Sequence, residues 1–167
     1  ASHNQWVDGS KALQEEKFPN MKQYGDKIET KDDQSVSYEK IKEVLTANPN
    51  IAAIQGSAMA DVAGAALAVE ELGLAGKVNI VGTSLVSVSG KYVREGTIDM
   101  ISFWDPAMAG KAMIALAQKV LAGEKIENGL DLGIEGYTNL ALADKVLTGE
   151  AWVDVTKDNV DDPAYNF

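Results

Sequence analysis

Short apolar runs and longer stretches of helical spacing alternate along this chain. Ile51-Ala-Ala-Ile54 and Val78-Asn-Ile-Val81 are compact apolar runs bounded by turn residues, the signature of strands inside a sheet. Thr97 to Asp105 alternates instead: Ile98, Met100, Ser102 and Trp104 fall on one side, Asp99, Ile101, Phe103 and Asp105 on the other. Between these runs Tyr38, Ile41, Val44 and Leu45 form one helical stripe, capped by Ser35 or Ser37 and stopped by Asn48-Pro49. Val62, Ala65, Ala66, Val69 and Leu72 form a second, closed by Gly73. A helix around Ser89 to Arg94 ends at Gly96, and another runs from about Ala107 to Leu121 with Gly123 beyond it. Ahead of them all, Trp6, Ser10, Leu13 and Lys17 mark a helix ending near Phe18-Pro19, with no apolar strand in front. Lys27-Ile-Glu-Thr30 reads as a weak strand. In the tail, Leu130 to Ile134 reads as a strand, Leu140 to Leu147 as a short helix and Ala151 to Val155 as a strand. Residues from Asp158 onward read as turn and coil.

Strands alternating with helices through short connections predict an α/β fold: a parallel sheet covered by helices on both faces. In such sheets ligands bind beyond the carboxyl ends of the strands. The candidate binding residues are therefore those at the exits: Ser2, His3 and Asn4; Gln55, Gly56 and Ser57; Thr83 and Ser84; Trp104 and Asp105. Most are polar and uncharged, which matches sugar hydroxyls that both donate and accept hydrogen bonds. Trp104 and Asp105 add an aromatic plate beside a carboxylate. Ring C–H groups can pack on the indole while hydroxyls donate to the acid. The plainer reading of that pair is a core tryptophan followed by a helix cap, with Pro106 in the first helical position. Loop ends are also polar for the ordinary reason that they satisfy backbone groups.

Composition narrows the classes. The chain has 167 residues, 46% hydrophobic and 24% charged, with a formal net charge of -10, enough for a real core but without the basic face of a nucleic-acid binder. It has no cysteine and a single histidine, His3. Thiolate metal sites, disulfides and cysteine nucleophiles are excluded, and a Ser-His-Asp triad would need the terminal His3. No G-x-G-x-x-G, P-loop or G-x-S-x-G spacing occurs. No enzyme, cofactor or metal site is therefore expected. No apolar run is long enough to span a bilayer. The chain starts with Ala, so Ala1 is expected to be a processed or cut end, with any targeting segment outside it.

The ordered set of motifs resembles a known family. Asn4-Gln-Trp6 opening a helix, Ile51-Ala-Ala-Ile-Gln-Gly-Ser-Ala58, Val78-Asn-Ile-Val-Gly82, Tyr92-Val-Arg-Glu-Gly96, Phe103-Trp-Asp105 with Gly110-Lys111, and Tyr165-Asn-Phe167 look like the C-terminal part of sugar-binding proteins that serve bacterial ABC importers. The similarity is to the ribose-type branch, nearest its autoinducer-2 and rhamnose binders. It implies a Rossmann-like lobe of a type I periplasmic binding protein, with a sugar held between two lobes and handed to an ABC permease in the membrane. It implies a periplasmic or extracytoplasmic place, as a lipoprotein or secreted protein, and no nucleic-acid partner. Residues 1–104 would be the C-terminal lobe core lacking its first strand. Residues 105–135 would be a hinge crossing and a helix that packs on a missing N-terminal lobe. Residues 136–167 would be a return segment and tail. Met113, Ala117 and Val120 would then expose apolar surface unless another chain covers them. Trp104 and Asp105 match cleft positions of that branch. Ser2 and His3 stand where autoinducer-2 binders carry an acid–amide pair. Gly56-Ser57-Ala58 stands where they carry Pro-Asp-Ala, so Ala58 joins the candidate ligand residues. Ser84 stands where ribose binders often have Asp. These replacements point to a neutral sugar or sugar-like polyol. The alternatives are the effector domain of a sugar-responsive transcription regulator, which shares the fold, and a small α/β enzyme.

Overall fold

The structure, a computed structural model, describes residues 2–165, with side chains from residue 3 onward. The elements in chain order are α1 (Ser2–Lys17), α2 (Gln34–Ala47), β1 (Ala53–Gly56), α3 (Asp61–Glu71), β2 (Asn79–Thr83), α4 (Val86–Glu95), β3 (Met100–Phe103), α5 (Pro106–Leu121), β4 (Ala141–Ala143), β5 (Val146–Thr148) and β6 (Val153–Val155). A final 3-10 turn covers Pro163–Tyr165. The chain divides into two compact units. One holds residues up to 102 and from 154 onward, the other residues 103–153.

In the first unit, β1, β2 and β3 lie side by side in parallel, with Ala53 opposite Asn79, Gly56 opposite Gly82 and Val81 opposite Met100. The strand order is β1-β2-β3-β6. The strands start later than the apolar runs suggest, because Ile51 and Ala52 precede the first ladder pair. Ile80, Ile98, Ile101 and Val155 are buried in this unit. Asp99 fixes where β2 and β3 begin to pair. Its amide donates to the Ile80 carbonyl (2.9 Å) and its Oδ2 accepts the Ile80 amide (2.8 Å).

Helix α3 is the core helix. Val62, Ala63, Ala65, Ala66, Ala68 and Val69 are all buried, and the alanines let the helix approach its neighbours closely. Gly64 sets the contact with α2: a Cβ there would lie 2.5 Å from the Gln34 carbonyl oxygen and 2.8 Å from Ser37 Oγ. Asp33, rather than either serine, caps α2, its Oδ1 accepting the Ser35 and Val36 amides at 2.8 and 3.0 Å. That frees Ser37 to be buried against α3, where it donates to the Asp61 carbonyl (2.8 Å).

On the solvent side of the same helix pair, Lys42 donates to Glu71 Oε1 (2.7 Å) and to the Tyr38 hydroxyl (3.0 Å), while Tyr38 donates to Glu71 Oε2. The Lys42 bond, then the Tyr38 bond, holds the Glu71 carboxyl below its usual range. The Glu71 bond, then the Tyr38 bond, raises Lys42. This clamp is complete at neutral pH. Its Lys42–Glu71 ion pair is lost in acid only below the ordinary carboxylate range, and in base only above the ordinary lysine range. Because it is exposed, its share of stability is small.

Three sequence expectations are corrected here. Lys27–Thr30 is not a strand: the left-handed residues Lys31 and Asp32 (φ 58° and 55°) turn the chain, and Thr30 is tied to α3. Leu130 to Ile134 makes no strand, only a single bridge between Leu130 and Leu140. Leu140 to Leu147 is not a helix. It forms the antiparallel hairpin β4–β5, Ala141 opposite Thr148 and Ala143 opposite Val146, turning on Asp144 with φ 53°.

The second unit contains this hairpin and α5. Only Ala112 of α5 is buried. Met113 (72% exposed) and Val120 (57%) carry open apolar surface, and Ala117 is exposed with them, as the sequence led us to expect; Ile114 and Leu121 extend the strip.

Both Gly64 and Gly110 are interior helix positions, but a Cβ at Gly110 meets nothing within 4 Å. Gly64→Ala is expected to destabilise the fold by about 1–3 kcal/mol through overpacking. Gly110→Ala is expected to be neutral or to stabilise by up to about 1 kcal/mol. Urea denaturation of the two variants side by side checks this; equal effects would contradict the packing assigned to Gly64.

Candidate functional site

The parallel register brings the carboxyl ends of β1 and β2 together, because Gly56 stands directly opposite Gly82. Both glycines are needed for the approach of α3. A Cβ on Gly56 would lie 2.7 Å from Asp61 Cβ, and one on either glycine would lie 2.8 Å from Val62 Cγ1. The exit loop of β1, Ser57 to Ala60, is therefore pressed between strand and helix.

Asp61 shapes that loop. Its Oδ2 accepts the Ser57 amide (3.0 Å) and the Ala58 amide (2.8 Å), and its Oδ1 accepts the Thr30 hydroxyl (2.6 Å). Asp32 Oδ1 adds a bond from the Ala60 amide (3.2 Å). The loop amides that would otherwise need water or a ligand are thus satisfied by carboxylates. Asp61 is not among the candidates drawn from the sequence. The available signal was an acid in the first turn of a helix, four residues after Ser57, within reach of the amides just before the helix.

The predicted residues fall into different roles. Ser57 is half-buried and Gln55 is exposed at the rim, with Gln55 Oε1 accepting the Ser10 hydroxyl of α1 at 2.7 Å. Gly56 and Ala58 are buried, so they offer backbone rather than side chain. Ser84 is turned inward, only 1% exposed. It donates to the Met59 carbonyl (2.8 Å), so in the Ser84–Ser89 pair (2.7 Å) Ser89 is the donor. Ser84 therefore ties the β2 exit to the β1 exit loop from beneath the rim. Thr83 closes β2 and is half-buried. Ser2, His3 and Asn4 do not form an exit loop. They occupy the first turn of α1, with His3 and Asn4 exposed; the His3 ring packs on Trp6 at 5.3 Å, and the Ser2 side chain lies outside the described residues.

In the second unit, Trp104 follows β3 immediately and is 37% exposed. Asp105 caps α5 as read from the sequence, its Oδ1 accepting the Ala107 and Met108 amides at 2.7 and 3.3 Å, with Pro106 opening the helix. Trp152, which the sequence reading did not single out, meets Trp104 edge-to-face: centroids 5.5 Å apart, planes at 89°. Among the described residues, no three His, Asp or Glu side chains gather where they could hold a metal ion, and no helix is long and apolar enough to cross a membrane.

A parallel α/β unit whose neutral polar exits share one sheet edge is the architecture of a small-molecule binding lobe. The family model of the periplasmic binding protein domain matches residues 1–125, and the chain belongs to this family. It is a family of extracytoplasmic binding proteins. Three solved structures illustrate the likeness. An ABC transporter solute-binding protein from Clostridium phytofermentas with bound L-rhamnose is 20% identical, aligns over 98% of this chain and 56% of its own, and gives a TM-score of 0.77. LsrB from Clostridium saccharobutylicum in complex with AI-2 is 20% identical over 98% of this chain and 55% of its own, with a TM-score of 0.75. A solute-binding protein from Agrobacterium vitis bound with alpha-D-tagatopyranose is 21% identical over 99% and 49%, also at 0.75. The chain spans about half the length of these proteins. The shared fold is the type I periplasmic binding protein fold.

Removing the Asp61 carboxylate leaves two buried-edge amides without an acceptor. Asp61→Ala is expected to cost about 1.5–3 kcal/mol and to speed amide exchange at Ser57 and Ala58, with Asp61→Asn milder on both counts. Unchanged exchange at those two amides in the alanine variant would contradict the role given to Asp61.

Proposed function

We propose that this chain is part of the solute-binding component of an ABC importer. It would bind a neutral sugar or sugar-like polyol by hydrogen bonds and stacking, without covalent chemistry, and deliver it to a membrane permease. The observation that carries this reading is the pairing of two features: a family of binding proteins, and a strand-exit edge lined by uncharged polar groups and preformed by Asp61 and Ser84. Structural relatives of the same fold hold L-rhamnose, AI-2 and alpha-D-tagatopyranose. All are small and rich in hydroxyls, which supports a ligand of that kind here.

In this reading Gln55 and Ser57 supply side-chain hydrogen bonds, and Gly56 and Ala58 supply backbone. Ser84 acts indirectly, by holding the Met59 carbonyl and hence the loop. Ser2, His3 and Asn4 remain candidates from the first turn of α1. Trp104 offers its indole face to the C–H groups of the sugar ring, and Asp105 offers carboxylate acceptance beside it. The rest of the binding cleft would come from an N-terminal lobe, whose apolar surface would cover the exposed strip of α5 at Met113, Ala117 and Val120. The working place would be the periplasm or the outer face of the cell membrane, as a secreted protein or lipoprotein.

The test is calorimetry of the full-length protein against pentoses, hexoses and autoinducer-2. One or more neutral sugars are expected to bind, and Trp104→Ala is expected to weaken that sugar by roughly tenfold or more, the scale of about 1.4 kcal/mol of lost stacking. Binding of no sugar, or an affinity indifferent to Trp104→Ala, would refute the reading.

A further inference from the structure

The second unit carries a feature that the family likeness did not lead us to expect. Trp104 stands one residue after β3 ends, and Trp152 one residue before β6 begins. Their rings meet at 5.5 Å with planes at 89°, the edge-to-face arrangement that two indoles prefer. Both stay partly open to solvent, Trp104 at 37% and Trp152 at 51%. Two perpendicular aromatic plates, each partly exposed, make a two-walled apolar corner. Its walls stand on fixed backbone: the Asp105 cap and Pro106 on one side, the start of β6 on the other.

Such a corner discriminates by chemistry. A sugar ring laid on one indole directs an edge substituent toward the other. A hydroxyl at that point gives up water and meets only an aromatic surface, which is costly. A methyl group at the same point gains apolar burial. Resting on the sugar-binding reading above, we propose that Trp152 is the second wall of the sugar platform, and that the Trp104–Trp152 corner selects a 6-deoxyhexose over its 6-hydroxy counterpart.

Two pairs of sugars that differ only in the C6 hydroxyl test this by calorimetry on the full-length protein: L-rhamnose with L-mannose, and D-fucose with D-galactose. In at least one pair the deoxy member is expected to bind tighter by roughly tenfold or more, the discrimination available to an apolar pocket. Trp152→Ala is expected to shrink that gap to about twofold or less, mainly by weakening the deoxy member. Trp152→Phe, which keeps a flat wall, is expected to retain most of it, and Trp152→Gln to close it. If the alanine variant yields no folded protein, the phenylalanine and glutamine variants decide between these outcomes on their own. An unchanged gap in Trp152→Ala or Trp152→Gln, or a wild-type preference for the hydroxylated members, overturns the inference while the sugar-binding reading stands. Binding of other sugars but none of these four does the same. Binding of no sugar at all overturns both.

Discussion

One residue, Asp61, ties the β1 exit loop beside it to Thr30 and Ser37, both much earlier in the chain. Asp61 takes the Thr30 hydroxyl, the Ser57 amide and the Ala58 amide, while its own carbonyl takes the Ser37 hydroxyl. Charge-assisted bonds of this kind are stronger than neutral ones, and buried-edge amides left without a partner are costly. The strand β1 therefore does not end in a loose loop. It ends in a turn whose backbone is fixed before any ligand arrives, and Ser84 repeats the device from the next strand by bonding to Met59. Preorganisation matters for an uncharged, hydroxyl-rich ligand such as a sugar, because each neutral hydrogen bond to it contributes little net free energy. Ordering a loop on binding would consume much of that gain.

The same geometry explains why glycine and alanine are so frequent around α3. A helix that reaches the strand ends closely enough for Asp61 to bond to Ser57 must sit where side chains on Gly56 and Gly82 would collide with it. Gly64 gives α2 the same closeness on the other side of the helix. Packing and site are thus one constraint, since the small residues that close the core also place the carboxylate. In the second unit the tie is the Asp105 cap, which fixes where the chain turns from Trp104 into α5.

Much of this was legible in the sequence, for identifiable reasons. The apolar stripes of α2 and α3, the stops at Asn48-Pro49 and Gly73, and Gly96 as a left-handed helix end (φ 80°) all follow from local chemistry. So did the Asp105 cap, whereas the open face of α5 followed from the family resemblance. What failed had two causes: a local turn or cap that won over the apparent pattern, or a partner distant in sequence. Leu140 to Leu147 has helical spacing, but Asp144 in a left-handed turn pairs Ala143 with Val146 instead. Ser35 and Ser37 looked like caps until Asp33 took that role and Ser37 turned into the core. Ser84 reads as a rim hydroxyl because it follows a strand. Only three dimensions show Met59 and Ser89 beside it. Trp152 lay 48 residues from Trp104 with no periodicity to link them.

The proposed ligand-binding edge is the carboxyl end of β1 and β2, on loops already held by Asp61 and Ser84. Hydrogen–deuterium exchange on the full-length protein, with and without a sugar that it binds, tests this most directly. Sugar should slow exchange at residues 56–59 and 83–85. It should leave residues 73–77, at the opposite ends of the same strands, as they were. Slowing at 73–77, or none at 56–59, would contradict the account.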